Sequence, residues 1–293
     1  MEAILIFLAL ILGALFPQAH EGTFLIRPFL MIMLFYNFLH VPLHARMVTR
    51  LHLWVALAKV GMPVLFYFMI LPFSPQAAIT AFVTGMAPTA AVAPVIAGLF
   101  RRKVEFVTVS VLLTSPLIAL TLPLILPLLL PVGEKMDVLA VLGPVAVTVF
   151  IPLLIAWLIR NGASFLIPWI DRTRKLPFLL FLFNIFTAGA DASNYLQYRS
   201  HESLQTLVLI AAVTVICGTL YFLAGQYLIG GKAYGIESGL ALGRKNTMFG
   251  LWVALTYVNP IAALGPVFYI VYSNVYNTVQ LYLYRRRERI PSP

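Results

Sequence analysis

Long apolar runs, separated only by short polar or Pro/Gly-containing breaks, constrain this chain more than any other feature. A helix needs about 20 apolar residues to cross the hydrocarbon core of a bilayer. In that medium each backbone polar group must be bonded within the protein, which helices achieve without partners. Ten candidate spans are read: 3–17, 27–43, 53–71, 76–100, 104–130, 138–159, 176–192, 203–229, 233–257 and 260–284, the first two being short. Only 10% of residues are charged, against about 25% in an average soluble domain. The expectation is therefore an all-α polytopic membrane protein with almost no soluble part. The single cysteine, Cys217, excludes an internal disulfide and gives no zinc pattern. The first run follows Glu2 rather than a basic n-region, so it reads as a retained helix and not as a secretory signal.

The net charge of +10 would suit nucleic acid were it not confined mostly to segment ends. With the N-terminus in the cytoplasm, fourteen basic residues fall inside: Arg46, Arg50, Arg101, Arg102, Lys103, Arg160, Arg172, Arg174, Lys175, Lys232, Arg285, Arg286, Arg287 and Arg289. Three fall outside, Arg27, Lys135 and Arg199. Such asymmetry follows the positive-inside rule. It predicts ten spans with both termini cytoplasmic, in an inner membrane of bacterial type, and lipid head groups rather than nucleic acid as partners of the basic tail. The segment Arg160–Lys175 is the longest loop and suits an interfacial helix.

Three basic residues, Lys59, Arg244 and Lys245, remain inside spans. Ten spans divide into two fives, residues 1–130 and 131–293, and an odd number per half gives inverted repeats. Spans 4 and 9 then correspond, and both are interrupted. The fourth reads TGMAPTAAVAPVIAG with Pro88 and Pro94; the ninth reads YGIESGLALGRKNTMFG with Gly235, Gly239, Gly243 and Gly250. Proline removes a backbone donor and glycine weakens a helix. Matching breaks in two halves point to a transporter site at membrane depth.

GMAPTAAVAPVIAGLFRRKVEFVTVSVLLTSPL, GRKNTMFGLWVAL and LGPVFYIVYSNVYNT resemble the first crossing helix with its following span, the second crossing helix and the closing helix of the bile acid:sodium symporter family. The likeness in organisation extends over essentially the whole chain. It implies a core domain of spans 3–5 and 8–10, in which discontinuous helices 4 and 9 cross, and a panel domain of spans 1, 2, 6 and 7. It also implies transport of organic anions such as bile acids, steroid sulfates or small carboxylates, bound between core and panel.

The departures from that pattern concern the sodium sites. Sodium ligands of the first crossing fall on Ala93 and Pro94. In the second crossing the family's Glu falls on Ala241 and its Gln on Lys245, while the Asn is kept as Asn246. A third-span Gln falls at or beside Lys59. A second register places Glu237 on the family's Glu and Leu242 on its Asn. A fixed cation about 4 Å from a sodium ion costs about 4 kcal/mol at an effective dielectric of 20, roughly a thousandfold in affinity. The expectation is a sodium-independent carrier in which Lys59 and Lys245 stand in for the ions and donate to freed carbonyls, with Arg244 able to share that role or to grip an anion through its planar fork.

The expected substrate-binding set is Arg244, Asn246, Thr247, Thr89, Pro88, Ala93 and Asn274, with Thr89 and Thr247 read first as half-helix caps. Arg244 could also pair with Glu237. Thr114 and Ser115 are expected to bond back to the helix near Pro116, and the buried amides of Asn184 and Asn274 need partners. A buried lysine can release a proton, so proton exchange is open, with Glu237 and Asp191 as further carriers. His40 and His44 lie one turn apart without a nearby third ligand, so no metal is expected, nor any cofactor. No Walker motif, paired acid/base or His-rich set supports an enzyme. The alternatives are a carrier of the auxin-efflux or arsenite type, or a membrane receptor. The arsenite version needs a cysteine in the first crossing, and Cys217 lies in span 8. A monomer is expected.

Overall fold

The computed structural model describes residues 2–40, 48–130, 137–198 and 203–288. His44, Arg46, Lys135, Arg199 and Arg289, used in the charge and metal arguments, lie outside them. All regular structure in the described residues is helical: α1 (Glu2–Leu15), α2 (Ile26–Leu39), α3 (Arg50–Ile70), α4 (Pro75–Gly85), α5 (Ala93–Leu99), α6 (Val104–Leu129), α7 (Val138–Gly162), α8 (Ile167–Asp171), α9 (Leu176–Tyr198), α10 (Leu204–Leu223), α11 (Gly231–Gly243), α12 (Thr247–Tyr257) and α13 (Pro260–Glu288). A 3₁₀ stretch, Pro17–Leu25, leads into α2, and a π-helical stretch, Ala224–Ile229, extends α10.

Six helical stretches among these residues are long and apolar enough to cross a membrane: Pro17–Leu39, α3, α6, α7, α9 and Leu204–Ile229. The chain is thus an all-α, multi-pass membrane protein. The other four expected spans fall short for separate reasons. Spans 4 and 9 are each split in two, and α1 is short. Span 10, as α13, is long but carries Ser273, Asn274, Asn277, Thr278 and Gln280 before an arginine tail. The Arg160–Lys175 loop forms a 3₁₀ turn and the short α8, where the Arg172 guanidinium stacks on Trp169 at 4.1 Å.

Helices α1, α2, α7 and α9 pack on one another, as do α4, α10, α12 and α13, with α3 against α4 and α6. Helix α1 approaches α9 through glycine. A Cβ on Gly13 would lie 2.0 Å from the Phe186 carbonyl oxygen, and one on Gly189 would lie 2.7 Å from that of Leu10. Because backbone cannot step aside, Gly13→Ala is expected to cost about 1–3 kcal/mol, in the range for overpacking. A melting temperature equal to that of the parent protein in detergent would refute this.

The two helix groups share a large apolar cluster in which Leu30, Val145 and Ile185 join Phe249, Trp252 and Ala262, and at one end a smaller cluster of Ala77, Ile210, Ile261 and Leu264 has Ala192, Tyr195 and Leu196 of α9 against it. Reciprocal amide bonds between Gln76 and Asn259 tie α4 to the start of α13. Arg27 adds a second link. It donates to Thr148 Oγ1 (3.0 Å) and the Pro144 carbonyl on α7, and its guanidinium lies over Trp252 of α12 at 5.7 Å.

Candidate functional site: the helix crossing and its cleft

Two breaks face each other at the centre of the molecule. Residues 86–92 separate α4 from α5, with Pro88 inside the gap and Pro94 in the first turn of α5. Residues 244–246 separate α11 from α12. This second gap follows Gly243, and the helix runs through Gly235 and Gly239, with a distortion only at Tyr234. The gaps join by a single antiparallel bridge. The Ala90 amide donates to the Arg244 carbonyl at 3.0 Å, and the Asn246 amide donates to the Pro88 carbonyl at 2.7 Å. The residue opposite Thr89 is therefore Lys245.

A helix end leaves four carbonyls without intrahelical donors, and side chains complete the account at α11. The Arg244 amide takes the Leu240 carbonyl. Lys59 Nζ, from α3, donates to the carbonyls of Ala241 (3.2 Å) and Leu242 (3.1 Å). Thr89 Oγ1 donates to Ala241 as well, at 2.7 Å. The Tyr269 hydroxyl of α13 donates to the Gly243 carbonyl. Across the bridge, Lys245 Nζ donates to the Gly85 carbonyl at the end of α4 (2.7 Å) and sits 3.6 Å from the centroid of the Tyr221 ring. Lys59 is 0% and Lys245 4% exposed. Both ammonium groups are thus bonded to helix-end carbonyls and lie away from lipid.

Two capping expectations are corrected. The N-cap of α12 is Asn246, whose Oδ1 accepts from the Phe249 amide at 3.3 Å, rather than Thr247. Helix α5 has no side-chain cap, because the Thr89 hydroxyl is committed to Ala241 and the Thr89 amide donates to Thr114 Oγ1. The carbonyl freed by Pro116 is that of Leu112, whereas Thr114 and Ser115 donate to Ser110 and Val111, each one turn back.

Arg244 points the other way, into a cleft of about 360 Å³ beside the crossing. One wall comes from Ala90–Val92, Lys245–Met248 and Ile270, Ser273 and Asn274 of α13; the other comes from Met33 and Asn37 of α2, Arg174, and Pro177, Phe178 and Phe181 of α9. Arg244 is 8% exposed. Its Nη1 donates to Ser273 Oγ (3.1 Å) and Asn274 Oδ1 (3.2 Å), while Nε is buried without a partner. Among the described residues no carboxylate lines the cleft, and none lies within ion-pair distance of Lys59, Arg244 or Lys245. Pairing of Arg244 with Glu237 does not occur: Glu237 Oε1 accepts from the Lys103 amide at the start of α6.

Of the expected substrate set, Arg244, Asn246, Thr247 and Asn274 line the cleft, whereas Pro88, Thr89 and Ala93 lie behind it. Glu237 is buried on α11, and Asp191 is part-buried on α9, both outside the cleft lining. The Asn184 amide donates to the Ile26 carbonyl. His40 bonds Asp171 at 2.8 Å, and no cluster of His, Cys, Asp or Glu able to hold a metal occurs among the described residues. Cys217 packs with Tyr221, Leu242 and Tyr269 behind the crossing and does not line the cleft.

Sequence reasoning missed Tyr269, Ser273, Asn37 and Arg174. Ser273 adjoins the singled-out Asn274. Arg174 had been absorbed into the topology count, so its charge carried no second signal. No protein-family model matches the chain, and no curated protein sequence matches it.

Proposed function

We propose that the protein is a secondary transporter of an organic anion that works by alternating access without sodium, and that Lys59 and Lys245 occupy the place of coupling cations. The observation that carries this reading is Arg244: a buried guanidinium in a cleft, with donors to spare and no carboxylate in reach among the described residues. A buried charge without a counter-charge is costly, and an anion in the cleft would supply one through charge-assisted bonds.

The wider reading is of ten transmembrane helices as two inverted five-helix repeats. Panel helices α1, α2, α7 and α9 would rock against a core built on the crossing, and both termini would be cytoplasmic. It is supported by the two bridged breaks, by the packing of the helices into two groups and by the resemblance to the bile acid:sodium symporter family. The charge asymmetry of the loops supports the orientation. With the smaller apolar cluster and the Arg27–Trp252 contact at one end, the cleft opens at the other, where Arg174 stands.

The test is a thermal-shift screen of carboxylates and sulfates on the detergent-solubilised protein, in sodium and in choline. A ligand at 100 times its dissociation constant stabilises by about 2.7 kcal/mol. Anions are expected to raise the melting temperature equally in both salts, and sodium alone is expected to leave it unchanged. Stabilisation by sodium alone would end the cation-replacement reading. Uptake of the best-binding anion, isotopically labelled, into proteoliposomes then separates a carrier from a receptor.

A further inference from the structure

The turn between α8 and α9 carries three cations, and they are not alike. Arg172 stacks on Trp169. Lys175 is exposed and does not line the cleft, whereas Arg174 does line it. The nearest acid in sequence, Asp171, has its Oδ1 bonded to His40, and no ion pair neutralises Arg174 among the described residues. Lys245 also lies along the first wall, but its ammonium is committed to the Gly85 carbonyl and the Tyr221 ring. The cleft therefore offers one uncommitted cation from each wall. One is the buried Arg244 at the crossing, and the other is the solvent-exposed Arg174 at the mouth. The surface between them is mostly apolar: Met33, Phe178, Phe181, Met248 and Ile270.

Two cations facing one cleft can each take an acidic group, and the apolar lining between them suits an apolar body. We infer that the cargo is a dianion with an apolar body between its acidic groups, one gripped by Arg244 and the other by Arg174. This rests on the anion-carrier reading and adds to it the number and spacing of the acidic groups. Arg174 then sets specificity, selecting cargo with a second charge, while Arg244 anchors every anion that enters.

The experiment uses a homologous series of α,ω-dicarboxylates and their half-methyl esters, each pair differing by one charge. Binding is measured on the full chain by thermal shift and calorimetry, for the parent protein, Arg174→Gln, Arg174→Lys and Arg244→Gln. At the chain length that spans the cleft, the diacid should bind the parent about five-fold more tightly than its half-ester, the upper end for an ion pair open to water. Arg174→Gln should abolish that ratio by bringing the diacid down to its half-ester, and Arg174→Lys should keep most of it. Raising salt should narrow the ratio in the parent. Arg244→Gln should weaken diacid and half-ester together. A diacid never better than its half-ester at any length overturns the inference and leaves the anion reading intact. So does an Arg174→Gln variant that keeps the ratio, and Arg174 then belongs to the membrane surface. Absence of binding by every member of the series to the parent protein overturns the inference, and the anion reading falls with it only if the carboxylate and sulfate screen is also blank.

Discussion

Arg244→Gln will weaken anion binding by roughly ten- to a hundredfold and leave the unliganded protein at least as stable as before. The affinity loss follows from hydrogen bonds to a charged group, each contributing about 1.5–3 kcal/mol. Ser273 and Asn274 hold Nη1, so the guanidinium is oriented before any ligand arrives, and little ordering entropy is spent on binding. The stability half of the expectation comes from the absence of a counter-charge. Removing a buried cation that nothing neutralises relieves a desolvation cost, against which two neutral acceptors lose a donor. Arg244→Lys keeps the charge without the fork and is expected to fall between the two. Isothermal titration of the best-binding anion, together with melting curves in its absence, reads both effects. An unchanged dissociation constant would take Arg244 out of the site.

Lys245→Met will act on the fold itself. The Gly85 carbonyl loses the ammonium that donates to it at the end of α4, and the Tyr221 ring loses a cation from its face. A buried carbonyl left without a donor costs about 1–3 kcal/mol, and a desolvated cation–π contact about 2 kcal/mol. Neutralising one of two buried ammonium groups gives part of this back. A net loss of about 1–3 kcal/mol is expected, and on the carrier reading uptake should be lost as well, because the two half-helices are no longer held in register. Lys59→Met should cost less. Only the Leu242 carbonyl is left without its donor, while that of Ala241 keeps the Thr89 hydroxyl. Adding sodium should rescue neither variant, since among the described residues no carboxylate lies at the crossing to complete its shell. A melting temperature for Lys245→Met equal to or above that of the parent would rule out a tethering role.

The sequence carried the helices well wherever one physical rule acted alone. Apolar length located α3, α6 and α7 to within three residues at each end, and α10 once its π-helical extension is included, whereas α9 runs six residues past its expected end. Pro88 and Gly243 marked the two breaks, while Gly235, Gly239 and Gly250 lie inside helices. It carried less where several groups compete for one partner. Thr89 and Thr247 looked equivalent as caps, yet Thr89 is spent on the Ala241 carbonyl and Asn246 takes the cap of α12. Which of several nearby donors satisfies a freed carbonyl depends on interhelical distances that no spacing encodes. The split of the three buried cations is of the same kind. Nothing in the neighbouring letters Arg244 and Lys245 says that one points into the cleft and the other to the end of α4. Extended backbone at Arg244, the residue just past α11, sends consecutive side chains to opposite sides. Arg174 was illegible for the opposite reason: its charge was already explained by topology.

A further consequence follows from the Lys59 and Lys245 amines being covalent parts of the polymer. Their local concentration at the centre of the protein is set by the chain and is the same in potassium, choline or distilled water. If these amines stand in for coupling ions, the crossing has no ion-depleted form, and desalting should not loosen it. Dialysis against salt-free detergent should leave the unfolding curve where it was, with only the exposed arginines registering the change.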